Sequence, residues 1–152
     1  MTTLTLKPIL KKQALLKDLP DKHLDLLAGC AANVRFERGD YIFRIDQPAE
    51  HFYLIRQGRV ALELPRTRKE TAVVQTVDEN NLLGWSWLVP PYRWHFSARV
   101  MEPVLALKFD GKCLRAKAEK DHELGYELYR RFLGVVAERL NETLPQVVGL
   151  YR

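Results

Sequence analysis

The spacing of hydrophobic and polar positions changes period twice along the chain. Residues 7–17 are basic and mixed, with Leu10, Ala14 and Leu15 at helical spacing, which predicts a short leading helix. A clearer helix follows: Leu24, Leu27 and Ala28 share a face, Pro20 stands at a first-turn position, and Gly29 is placed to end it. From Val34 the period becomes that of strands. Val34 and Phe36 share a face before the Arg38-Gly39-Asp40 turn, Tyr41-Ile42-Phe43 comes next, and Asp46-Gln47-Pro48-Ala49 is turn material. Residues 52–55 are a compact apolar run, and Gln57-Gly58 predicts a hairpin tip whose return strand carries Val60, Leu62 and Leu64 on one face. Residues 65–70 form a charged loop, and residues 71–77 are β-branched and strand-like. Asn80, in the following turn, tolerates a left-handed backbone without being glycine. Two more strands, residues 97–101 and 104–109, flank a Glu102-Pro103 turn.

Helical spacing then returns, with Asp110 and Asp121 placed as N-caps of two helices. On the last helix Leu124, Leu128, Phe132 and Val135 form one stripe, and Leu133, Val136, Leu140, Leu144 and Val147 a second. Pro145 predicts a bend near its end. Seven or eight short strands with helices only at the ends predict a mainly β fold with flanking α, an antiparallel β-roll or jelly-roll sandwich with a long C-terminal helix. The expected organisation is one domain: helical residues 1–31, a roll over 32–109, and helices over 110–152. Two stripes on one helix imply two partners, the β body and a second copy of the chain, so a homodimer on Leu133, Val136, Leu140 and Leu144 is expected.

All three tryptophans fall within residues 80–100, at 85, 87 and 94. Leu82-Leu83 reads as a strand end, Gly84 as a corner, and residues 85–89 as one helical turn stopped by Pro90-Pro91. A helix opening after a glycine leaves N–H groups free and suits an anion. The plainer alternative is a tight corner whose indoles only fill core.

Composition changes this picture little. Hydrophobic residues at 47% and charged residues at 28% describe an ordinary globular chain, and no apolar run approaches the roughly 18 residues of a membrane span. The net charge of +5 is spread over small clusters, which argues against a nucleic-acid footprint. Residues 1–10 lack the features of a signal peptide. Cys30 and Cys113 stand far apart with no paired spacing, which suits a reducing cytoplasm. The four histidines, 23, 51, 95 and 122, include no His-x-His pair, and there is no Gly-x-Ser-x-Gly, so neither metal chemistry nor catalysis is expected. His23 and His122 read as helix-surface residues and His51 as core-edge.

Taken in order, several segments together resemble the cyclic-nucleotide-binding domain family, the sensor rolls of catabolite-activator-type regulators and kinase regulatory subunits. They are Leu16-Lys17-Asp18-Leu19, Gly39-Asp40-Tyr41-Ile42-Phe43, Pro48-Ala49-Glu50-His51-Phe52-Tyr53-Leu54-Ile55, Gly58-Arg59-Val60 and Leu82-Leu83-Gly84. The resemblance covers about residues 15–144 and implies that Gly84 opens the phosphate-binding cassette and that the last helix pairs subunits. It also exposes departures. Where the family places a ribose-binding glutamate after the glycine, this chain has Trp85; where it places the phosphate-gripping arginine, Trp94; Arg93 lies one residue earlier, and Ser97 fits the hydroxyl position. Two family glycines are Asp46 and Asn80. Losing two charge-assisted contacts of about 1.5–3 kcal/mol each weakens cyclic nucleotide binding about 10²- to 10⁴-fold.

Two functions follow. In the first, a regulatory module binds a small anionic or aromatic ligand, a cyclic nucleotide or another, at Gly84, Trp85, Ser86, Trp87, Arg93, Trp94, His95 and Ser97, and signals through a protein partner. In the second, a ligand-free dimeric interaction module uses its tryptophans to fill the pocket. The family's DNA-binding regulators carry a helix-turn-helix after the dimer helix; this chain stops at Arg152, so direct DNA binding is not expected. No cofactor and no membrane association are expected.

Overall fold

A computed structural model describes residues 3–150. Helix α1 (Thr3–Lys11), a single 3-10 turn (Ala14–Leu16) and α2 (Asp21–Ala28) precede six strands: β1 (Ala31–Phe36), β2 (Tyr41–Phe43), β3 (His51–Pro65), β4 (Thr71–Val77), β5 (Leu82–Leu83) and β6 (Ser97–Asp110). A second 3-10 turn (Ser86–Leu88) follows β5, and α3 (Gly111–Lys120) and α4 (His122–Gly149) close the fold. The strand order is β1-β6-β3-β4, with β2 on β6 and β5 on β3, every pairing antiparallel. This is the expected β-roll with helices at its ends. Its core runs through Phe52, Leu54, Ile55, Leu62, Leu107 and Phe109 and out to Leu114, Leu124, Leu128 and Phe132 of the C-terminal helices.

The helix ends obey local chemistry. Pro20 stands at the N-cap of α2 and Gly29 at its C-cap. Asp110 accepts a hydrogen bond from the Cys113 amide (3.1 Å) and Asp121 one from the Leu124 amide (3.2 Å), satisfying donors that a helix start leaves unpaired. Helix α4 runs on through Pro145 to Gly149. Leu124, Leu128 and Phe132 are buried and Val135 is half-buried, whereas Leu133, Leu140 and Leu144 are exposed and Val136 half-buried. The two predicted stripes therefore face different surroundings.

Two expectations about the strands are corrected. Gln57-Gly58 is no hairpin tip, and Glu102-Pro103 ends no strand. β3 and β6 run past each other unbroken while their register slips between Ile55 and Val60. Gly58 has φ +98°, and a Cβ there would lie 2.3 Å from the Pro103 carbonyl oxygen. The glycine marks a bulge at a close backbone approach, which sequence patterning cannot distinguish from a turn.

Cys30 and Cys113, 83 residues apart in sequence, form a disulfide. The register of β1 on β6 pairs Ala31 with Phe109, and the Asp110 amide donates to the Cys30 carbonyl. Strand pairing thus carries Cys30 to the first turn of α3, whatever the sequence separation.

His23, expected on a helix surface, is buried, with Nε2 3.7 Å from an Asp121 carboxylate oxygen. Helix α2 packs against α3, which leads into Asp121. His122 is exposed and His51 half-buried.

No helix among the described residues is long and apolar enough to cross a membrane, and no cluster of histidine, cysteine and carboxylate side chains there is arranged to hold a metal.

Candidate functional site

Strand β5 delivers the chain to Gly84, whose φ of +94° disfavours any side chain. The helix expected after it is one 3-10 turn, closed by Leu88 N–H to Trp85 O (3.1 Å) and Val89 N–H to Ser86 O (3.3 Å). The Pro90–Pro91 peptide is cis, and the chain returns through Arg93 and Trp94 beside residues 46–48. There the Asp46 amide donates to the Trp94 carbonyl (2.9 Å) and the Trp94 amide to the Gln47 carbonyl (3.0 Å). Asp46 and Asn80, where the family resemblance expects glycine, have φ +69° and +65°. Both residue types tolerate this region better than others, so the backbone turns here without glycine.

The pairing with residues 46–48 turns the Trp94 indole inward. It lies flat on Phe43, with ring centroids 3.6 Å apart and planes 9° from parallel, and it is 4% exposed. A Cβ at Gly84 would sit 2.8 Å from Trp94 Cη2 and 2.9 Å from Cζ3. The indole therefore covers the glycine corner directly. Phe43 went unnoticed as a site residue because a buried strand phenylalanine carries no sequence signal beyond hydrophobicity.

The other predicted site residues divide among separate environments. Ser86 is buried and its Oγ lies 3.0 Å from His95 Nδ1, while His95 in turn stacks on Trp85 at 5.0 Å. Trp85 is half-buried and meets Phe96 edge-on. Ser97 Oγ accepts the Ile45 amide at 3.0 Å. Arg93 points away, donating to the Asp46 carbonyl (2.7 Å) and lining an outer cleft of about 450 Å³ with Glu50, His51, Asp110 and Lys112. Trp87 packs toward β3 and α4 instead. It is fully buried against Phe52 (5.0 Å) and Phe132 (5.4 Å), and a Cβ on Gly111 would be 2.9 Å from its ring. Arg115 of α3 donates to the Trp87 carbonyl and spreads its guanidinium over Tyr92, 4.5 Å from the ring centre.

His51 is held below its ordinary value, first by burial and then by the Lys108 ammonium, which outweigh Asp110 and Glu50. Chemically the stretch offers aromatic surface and two hydroxyls already engaged, Ser86 with the His95 ring and Ser97 with the Ile45 amide.

The antiparallel roll thus brings its strand-to-turn corner beneath the long C-terminal helix, where Arg139 of α4 donates to the Leu82 carbonyl. Comparisons with known proteins place it further. The family model described as "Cyclic nucleotide-binding domain" matches residues 33–121, more than half of the chain. Over 78 residues, 51% of this chain, it is 32% identical to a cGMP-dependent protein kinase of Plasmodium berghei, of which that stretch is only 8%. The crystal structure of a candidate cyclic nucleotide-binding protein from Geobacter metallireducens superposes with a TM-score of 0.79 at 26% identity, covering 92% of this chain and 98% of that one. The regulatory domain of Toxoplasma gondii PKA, solved with cAMP, has a TM-score of 0.64 at 17% identity, covering 75% of this chain and 43% of that one, a likeness of fold. The chain belongs to the cyclic nucleotide-binding domain family.

Proposed function

We propose that this chain is a regulatory interaction module of the cyclic-nucleotide-binding type in which Trp94 stands where the ligand's phosphate would lie. One observation carries this reading: the Trp94 ring covers Gly84 at a distance that leaves no layer for an anion between them. The hydroxyls of Ser86 and Ser97 are engaged within the chain, and Arg93 is turned to the outside. Of the two functions read from sequence, the one in which indoles fill the pocket is the better supported. The module then signals through a protein partner and pairs with a second copy on α4, where Leu133 and Leu140 are 67% and 56% exposed. An isologous pairing of that helix would remove these leucines from water. The cytoplasmic location inferred from sequence loses its cysteine support, because Cys30 and Cys113 are paired.

Titration calorimetry with cyclic AMP and cyclic GMP tests the reading. The expected result is no saturable binding at micromolar concentration. Sub-micromolar affinity for either would overturn it.

A further inference from the structure

Arg139 occupies the next core-facing position of α4 after Leu124, Leu128, Phe132 and Val135, where the pattern calls for another apolar residue. Its Nη2 donates to the Leu82 carbonyl, and its Nη1 is buried without a hydrogen-bond partner among the described residues. None of the ion pairs found among those residues includes it. Burial pulls its pKa below the ordinary arginine value, and Glu142 and Glu138 oppose that only through longer-range attraction. Arginine does not deprotonate in proteins, so a cation sits here with its Nη1 donors unanswered. Such a group calls for a counter-charge.

Arg139 lines a groove of about 740 Å³ between α4, the turn after α1, and the β4–β5 connection. That volume lies within the roughly 300–1,000 Å³ of small-molecule sites. The nearby charges are largely committed or turned to solvent. Arg130 and Arg131 both hold Glu127, and Asp78 holds Arg59. Lys17, Asp18, Glu138 and Glu142 are exposed at the rim. We infer that Arg139 is the anion-binding residue of a ligand site in this outer groove, which takes a small organic oxyanion, a phosphate monoester or a carboxylate. A guanidinium edge matches such oxygens, and the groove leaves room for the organic part.

The groove joins the elements a regulator needs to couple. Leu82, bonded to Arg139, stands two residues before Gly84, and Gln75 of β4 donates to the Arg139 carbonyl (3.2 Å) and to Thr143 Oγ1 (3.3 Å). An anion on Nη1 would fasten α4 to β4 and β5. This site shares no residue with the Trp94-covered corner and does not depend on how that corner is read.

The test is thermal denaturation and calorimetry of the full chain with adenosine monophosphate, a hexose phosphate and citrate, against sodium chloride of equal ionic strength. Wild type, Arg139→Met and Arg139→Lys are compared. At least one probe should bind wild type with a sub-millimolar dissociation constant, and Arg139→Met should weaken it roughly tenfold or more. Arg139→Lys, which keeps the charge but loses the fork, should retain part of the binding. Phosphate and citrate stabilise proteins generally, so only the difference between wild type and Arg139→Met counts. Binding by the phosphates alone, or by citrate alone, names the oxyanion. Should Arg139→Met fail to fold, amide shifts at Gln75, Asn80 and Leu82 on titration of wild type replace it and support the site. No binding by any of the three probes, or equal binding to Arg139→Met, overturns it. A Trp94→Ala protein should respond like wild type, which separates failure here from failure of the covered-corner reading.

Discussion

Gly84 and Trp94 touch as though the indole were a ligand of its own domain: the glycine has no side chain, and the ring edge takes the space a Cβ would need, 2.8 Å away. Gly84→Ala must both hold φ near +94° and displace the ring. It should cost about 1–3 kcal/mol. Trp94→Ala should cost about 3–5 kcal/mol, since it empties a buried site stacked on Phe43. In the double variant the alanine at 84 meets no ring, so the two costs should fall short of additivity by about 0.5–3 kcal/mol in urea denaturation. Strict additivity would mean that the contact does not exist in solution.

The second stripe of α4 sets an assembly prediction. Wild type should sediment as a dimer at tens of micromolar, and Leu140→Asp, which puts a carboxylate among the exposed leucines, should sediment as a monomer. A wild type that is monomeric under those conditions removes the seam.

The Cys30–Cys113 disulfide closes a loop of 83 residues in sequence. Unreduced, unfolded protein should therefore show no free thiol. Reduction by a dithiol should lower stability by about 2–4 kcal/mol, read from the shift of the denaturation midpoint. Two titratable thiols in protein purified without reductant would contradict the pairing.

Tyr53 gives a prediction in alkali. It is buried, edge-on to Phe36, and burial pushes its phenol from 10.0 up to about 12. The folded pKa lies above the unfolded one, so the contribution to stability is whole below pH 10 and is lost as pH rises toward 12. The loss should be at most about 2–3 kcal/mol across that window. Tyr53→Phe should flatten this part of the stability–pH curve, and an unchanged slope would assign the alkaline loss to other groups.

Much of the molecule was determined by the sequence alone, because the relevant forces act within a few residues. The caps Asp110 and Asp121, the Gly29 helix end, the left-handed Asn80 and the two stripes of α4 all rest on local backbone chemistry and side-chain period, and the fold follows from their order. Only the tertiary structure decided three other matters. Gln57-Gly58 proved to be a bulge because the opposing Pro103 carbonyl, 45 residues on in the chain, leaves room for nothing but glycine. Cys30 met Cys113 because the β1–β6 register brings their backbones side by side. The cassette was the hardest to foresee. Which way an indole turns depends on the segment it pairs beside and on the ring that receives it, here Gln47 and Phe43 for Trp94. Arg139 alone carried a legible warning, a charged residue at a core-facing position of an otherwise apolar stripe. Its unpartnered nitrogen became visible only when α4 was laid against β4 and β5, since burial belongs to the packed chain and not to any segment of it.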